Sequence, residues 1–425
     1  MTERLLQFIW QMQYFNKTDL HTVSGDPLSI TYRGQFNTNQ GPDFLEAVIT
    51  LNNTKWAGNI ELHVKASDWK MHGHTDDRNY SNIILHVVWE HDEDIYDEKG
   101  KPIPALSLND KVPKILLQRY EELIYNQKII PCENSISLVP EIVWNSWKAR
   151  LLTERLQRKT ETIAAYLKQT NAHWEEVFWW LIAKNFGNPV NSNAFEAIAR
   201  SIPVNILAKH KGQIHQLESF LLGQAGLLNS SFHESYPKML QKEFNFYKKK
   251  YNFSPTYEPV HFLRMRPGNF PTVRLAQLAM LINNSLHLFA QVKAAASVKE
   301  IAKLLQVTAN DYWHYHYKFD ETSSYKEKTL GKQMADNILI NTIAPILFAY
   351  GYIHKEQVYK NKAIKWLEDI SPENNNITRE WERLNIQNTA ASDSQALIQL
   401  TKEYCLQKKC LNCAIGAAIL RRSFS

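Results

Sequence analysis

The period of the hydrophobic pattern changes once along this chain, and that change restricts what it can fold into. Between Leu28 and Leu108 apolar residues gather in short runs of strand length, several alternating with polar neighbours; from about Lys114 onward they recur at helical spacing. A sheet must therefore form first and a large helical region after it. Glycine usage agrees. Only 14 glycines occur in 425 residues, and Gly25, Gly34, Gly41, Gly58, Gly73 and Gly100 fall within the first hundred, as expected of strands joined by turns followed by turn-poor helices.

At roughly 150 residues per domain, a chain of this length forms two or three domains. Hydrophobic residues at 44% and charged residues at 22% exclude wholesale disorder. The excess of six basic residues, with a pI near 8.8, allows a polyanionic partner without requiring one. No apolar run approaches the roughly 18 residues that cross a bilayer. The opening MTERLLQFIWQMQYF carries Glu3 and Arg4 within its apolar pattern, unlike a secretory leader. A cytoplasmic protein without membrane contact is expected, and its four cysteines are expected to be thiols.

Leu5, Leu6, Ile9, Met12 and Phe15 predict an amphipathic first helix. Strands are predicted at 28–34, 43–51, 56–67, 82–92 and 105–108, with a short helix or ordered loop in DWKMHGHTDDRNY. Within 56–67, Ile60, Leu62 and Val64 alternate with Glu61, His63 and Lys65, so one face is expected to be dry and the other chemical. At a rise of about 3.3 Å per residue, Glu61, His63 and Lys65 follow one another at about 6.6 Å along that face. Asp43 opens the preceding strand, and a hairpin would set it beside Glu61. Two carboxylates and a nearby backbone carbonyl form a hard oxygen site suited to Mg²⁺ or Mn²⁺.

Gly41-Pro42-Asp43 followed by Ile60-Glu61-Leu62-His63, on a helix-strand-strand-strand-helix-strand order, resembles the PD-(D/E)XK nuclease superfamily. The resemblance implies an α/β core of restriction-endonuclease type at 1–113, and the helical periodicity that follows predicts an all-α region at 114–425. The resemblance also implies metal-dependent hydrolysis of phosphodiester bonds in DNA or RNA. Asp43 and Glu61 take the places of the metal carboxylates, and the Leu62 backbone carbonyl completes their set. His63 stands where the superfamily has lysine, and Lys65 lies one same-face step further; both are assigned to assist the attacking water or the phosphate. Through GPDF, IELHVKASDWKMHGH, ILHVV, RPGNFPT and the terminal cysteines, nearly the whole chain also resembles a bacterial domain family of unknown function, which implies no activity.

Two further constellations stand beside this one. His72, His74 and His86, with Asp68 and Asp76, could gather around zinc, joined by His63, in a zinc hydrolase; otherwise His72 and His74 are substrate contacts. Cys405-x4-Cys410-x2-Cys413, with Cys132 as a distant fourth ligand, suits structural zinc or an iron–sulfur cluster. Some members of the nuclease superfamily carry such a cluster on one distant and three C-terminal cysteines, although there the lone cysteine precedes the core and here it follows.

In the helical part, Arg264, Arg266 and Arg274 surround a Pro/Gly/Asn turn that opens a helix, where phosphate can bind. KEFNFYKKKY and YWHYHYKF interleave basic and aromatic residues as nucleic-acid grooves do. Aromatic residues at helical spacing are more often core. The leading expectation is a nuclease; its alternative is a catalytically inactive module that binds nucleic acid or protein on the same scaffold.

Overall fold

The computed structural model describes residues 1–421 except Arg264 and Leu286. Mixed α/β structure at the N-terminus is followed by a large helical region. The chain divides into two compact units: the first combines Met1–Trp147 with the segment from Leu400 onward, and the second is Lys148–Gln399.

In the first unit, helix α1 (Glu3–Met12) is capped by the Thr2 hydroxyl at its start and by left-handed Gln13 at its end. Strands follow as β1 (Leu28–Tyr32), β2 (Gln35–Phe36), β3 (Phe44–Leu51) and β4 (Thr54–Lys65), then helix α2 (Asp68–Met71) with two short 3₁₀ turns. The sheet is completed by β5 (Ile83–Glu90) and β6 (Ala105–Ser107), before helix α3 (Lys114–Tyr125). The strand order is β1-β3-β4-β5-β6, with β2 added to β3.

β1, β3 and β4 form an antiparallel meander, whereas β5 runs parallel to β4 after the α2 crossover. The β3–β4 turn is Asn52-Asn53, both at positive φ (48° and 63°), the geometry a two-residue hairpin requires and asparagine tolerates. A bulge at Leu45–Glu46, with Glu46 at φ 58°, shifts the β3–β4 register by one residue. Beyond it Phe44 pairs with Ile60, which carries Asp43 toward Glu61.

The apolar stripe of α1 packs with Ile49, Ile60, Leu62 and Val87 into one core. A smaller cluster of Ala66, Trp69, Val88, Ile95 and Ile103 lies beside it. The alternation of β4 does not leave an open polar face: Glu61 is 4% exposed and His63 fully buried. Trp69 covers this side, packing against His63, His74 and His86. A polar face bearing chemistry has thus become an interior.

The second unit is helical around one large apolar core. YWHYHYKF contributes to that interior: Trp313 is fully buried and Tyr312 stacks on His316 at 4.0 Å. KEFNFYKKKY lies on the helix Ser235–Tyr251, where Phe244 is buried and Phe246 exposed. No helix among the described residues is long and apolar enough to cross a membrane.

Candidate metal centre

The β3–β4 hairpin brings Asp43 and Glu61 together. Glu61 Oε2 accepts the Asp43 backbone N–H at 3.0 Å, and Asp43 Oδ2 accepts the Leu62 N–H at 3.2 Å. Gln7 on α1 donates to Asp43 Oδ1 at 2.7 Å. Leu62 pairs with Val87 in the β4–β5 ladder.

The other Glu61 oxygen faces imidazoles. Oε1 lies 3.4 Å from His74 Nε2 and 3.8 Å from His63 Nε2. His63 Nε2 is 3.1 Å from His72 Nδ1, while His63 Nδ1 is 2.8 Å from His86 Nε2. A ring nitrogen from each of His63, His72 and His74 lies within 4.8 Å of the other two. His74 also stacks on Tyr80 at 3.9 Å. Its buried Nε2 faces Glu61 Oε1 at 3.4 Å without hydrogen-bond geometry, a weakly satisfied polar atom away from water.

The charge balance is equally one-sided. Among the described residues, no lysine or arginine forms an ion pair with Asp43 or Glu61. Burial first, then the Glu61 and Glu3 carboxylates, push the Asp43 carboxyl up to about 8, against the opposing Leu62 N–H and Gln7 bonds. Burial also raises Glu3, whose surroundings include His72 and Glu61. Burial and neighbouring imidazoles hold His63 far below the usual histidine range and His86 down to about 3, so both rings are neutral, the form that ligates metals.

His63, His72 and His74 thus present ring nitrogens close enough to share one ion, and Glu61 Oε1 faces two of these rings, while both Asp43 oxygens are taken up by Gln7 and the Leu62 N–H. The donor set fits an ion with mixed oxygen and nitrogen preference. Lys65 is exposed at the end of β4; its backbone N–H donates to Asp68 at 2.9 Å, which gives that carboxylate a structural task. The side chain of Asp76 lies outside the described atoms. Sequence reasoning missed Glu3, Gln7, Trp69 and Tyr80. The spacing of Glu3 and Gln7, one turn apart on α1, was the available signal, but nothing in it revealed that α1 faces the carboxylates.

Cys132, Cys405, Cys410 and Cys413 all belong to the first unit and all are free thiols. In the second unit, Arg274 is engaged at its own turn, donating to Gln277 at 3.0 Å and Asn269 at 2.5 Å, and burial lowers it to about 10. Arg266 is exposed just before the 3₁₀ turn Pro267–Asn269. Arg264 lies outside the described residues.

No curated protein and no solved structure matches the chain. One family model does, over residues 3–376, ending before the three C-terminal cysteines. The chain accordingly belongs to the family described as "Protein of unknown function (DUF2851)".

Proposed function

We propose that the first unit is a metal-dependent hydrolase that cleaves phosphodiester bonds in nucleic acid, with its ion at Glu61. One observation carries this reading: Glu61, 4% exposed, accepts the Asp43 backbone N–H on one side and faces the His63 and His74 imidazoles on the other, without a lysine or arginine counter-charge among the described residues. Interior carboxylates without a cation are costly unless a proton or metal neutralises them.

Within this reading Glu61, His63, His72 and His74 hold the ion and Asp43 supports it from the opposite side. His86 fixes the ring of His63, and Trp69 excludes water from behind the imidazoles. When bound, the ion stabilises charge on a phosphoryl oxygen and lowers the pKa of its water. In this reading Lys65, at the exposed end of β4, pairs with substrate phosphate. The meander, the crossover helix and the parallel fifth strand support the resemblance to PD-(D/E)XK nucleases, and basic residues outnumbering acidic ones by six are compatible with a polyanionic substrate.

The His74 nitrogen facing Glu61 Oε1, within the group of three imidazoles, favours an imidazole-bound ion over one held by carboxylates alone. A mixed donor set favours Mn²⁺ or Zn²⁺ over Mg²⁺. The test is cleavage of labelled single- and double-stranded DNA and RNA with each of the three ions. Metal-dependent cutting that disappears in Glu61→Gln is expected. A folded, metal-loaded protein that binds these substrates but cuts none is instead an interaction module, and a metal-dependent activity confined to other ester or amide substrates makes it a zinc hydrolase.

A further inference from the structure

The first unit contains a second group of ligating side chains, remote in sequence from Glu61 and built from different elements. Cys132 precedes the 3₁₀ turn Glu133–Leu138; Cys405 ends the π-helical turn Thr401–Cys405; Cys410 opens a 3₁₀ turn; and Cys413 directly precedes the helix Ala414–Arg421. Cys405, Cys410 and Cys413 are buried, and no disulfide joins any of the four. Every pair among them is close enough for one sulfur's charge to act on another. Burial first and then the other sulfurs push Cys132 up to about 12 and raise Cys405 strongly, while burial brings Cys413 to about 11.

From this arrangement we infer that Cys132, Cys405, Cys410 and Cys413 form a four-thiolate cradle for a [4Fe–4S] cluster. The fold brings four free sulfurs from two segments remote in sequence into one unit, three of them buried, and an iron–sulfur core binds four thiolates, one on each iron, its positive charge offsetting theirs. The spacing selects the kind of centre. A zinc ion with four thiolates at about 2.3 Å holds its sulfurs roughly 3.8 Å apart. Among the described residues the histidine triad is the group of three ligand atoms lying within 4.8 Å of one another, and no three of these sulfurs do so. A cubane, which carries each thiolate on a separate iron, needs the wider cradle.

The surrounding backbone is prepared for charged sulfur. The backbone N–H groups of Ile415 and Gly416, in the first turn of the helix that follows Cys413, favour its thiolate against the burial that raises it. Gly416 is required by closeness: a Cβ there would stand 2.2 Å from the Cys410 carbonyl oxygen. Lys408, beside Cys405 and Cys410, bonds the Asn126 carbonyl, and Arg119 donates to the Ile419 carbonyl at 3.3 Å. The cluster would therefore fasten the segment after α3 to the returning C-terminal segment.

The test is iron, sulfide and zinc analysis of the full chain purified without oxygen, with visible absorption and electron paramagnetic resonance after reduction. Four irons and four sulfides per chain, broad visible absorbance and a reduced-cluster signal are expected. In Cys132→Ser and Cys405→Ser the iron should fall severalfold, and proteolysis should release the C-terminal segment faster. Asp43→Asn, which leaves these ligands intact, should keep its iron. Wild-type protein that contains stoichiometric zinc, or that takes up neither iron nor sulfide on reconstitution, overturns the inference whether or not the serine variants fold, and independently of any nuclease assay.

Discussion

His63 Nδ1 and His86 Nε2 stand 2.8 Å apart in a fully buried pair, so one of the two rings facing Glu61 is oriented by a further ring that, among the described residues, forms no ion pair with a carboxylate. Partners of this kind set tautomer and direction for a ligating imidazole. His86→Phe keeps the ring volume and removes the bond. Mn²⁺ or Zn²⁺ affinity measured calorimetrically should fall about 10–100-fold, while chemical unfolding of the metal-free protein should show a loss of roughly 1–3 kcal/mol. Unchanged metal affinity would place His86 outside the centre.

The carboxylate pair predicts opposite effects on stability and activity. In chelator-treated protein, Glu61→Gln removes a buried charge next to Asp43 and should raise stability by roughly 1 kcal/mol, read as a higher Tm. The same change should abolish metal-dependent stabilisation and cleavage. A variant that is both less stable without metal and still active would contradict the placement of Glu61.

Trp69 supports the imidazoles from behind. Replacing it with alanine opens a large cavity and should cost about 3–5 kcal/mol. Trp69→Phe should retain most of the stability yet bind metal more weakly, because His63 and His74 lose part of the surface that holds their rings. Denaturant titration and metal titration on the same preparations separate the two effects.

A pH effect arises in the second unit. Glu218 is fully buried, accepts bonds from Tyr236 at 2.5 Å and Trp313 at 3.2 Å, and is pushed by burial up to about 7 from 4.5. The folded state therefore holds the Glu218 proton more tightly than the unfolded chain does. Stability contributed by this group is present below pH 4.5 and falls as pH rises toward 7. At about 1.4 kcal/mol per pKa unit the loss is on the order of 3 kcal/mol. Glu218→Gln should flatten that dependence, as urea midpoints at pH 5 and pH 8 would show; an unaltered slope would assign it to other groups.

The architecture was legible where local signals agree with packing. The β3–β4 hairpin was readable from strand alternation and paired asparagines, and α1 from its apolar spacing. Asp43 meeting Glu61 followed from the hairpin. What could not be read was the filling of the polar face of β4. Alternation reports which side avoids water only when the other side meets it, and here Trp69 and three imidazoles cover the second side. The role of α1 was hidden for a related reason: Gln7 reaches Asp43 across 36 positions, and no periodicity encodes such a contact. The tyrosine-rich stretch at 312–319 left core and stacking strip both open, with core the commoner outcome, because composition does not distinguish an aromatic core from an aromatic groove; Trp313 is in the core.

Anomalous diffraction from crystals grown with Mn²⁺ or Zn²⁺ tests the central claim most directly. The predicted result is one strong peak bounded by Glu61 Oε1 and the rings of His63, His72 and His74, with the His63–His72 hydrogen bond replaced by two metal bonds. A difference map without that peak at saturating metal, with the His63–His72 bond intact, would contradict it.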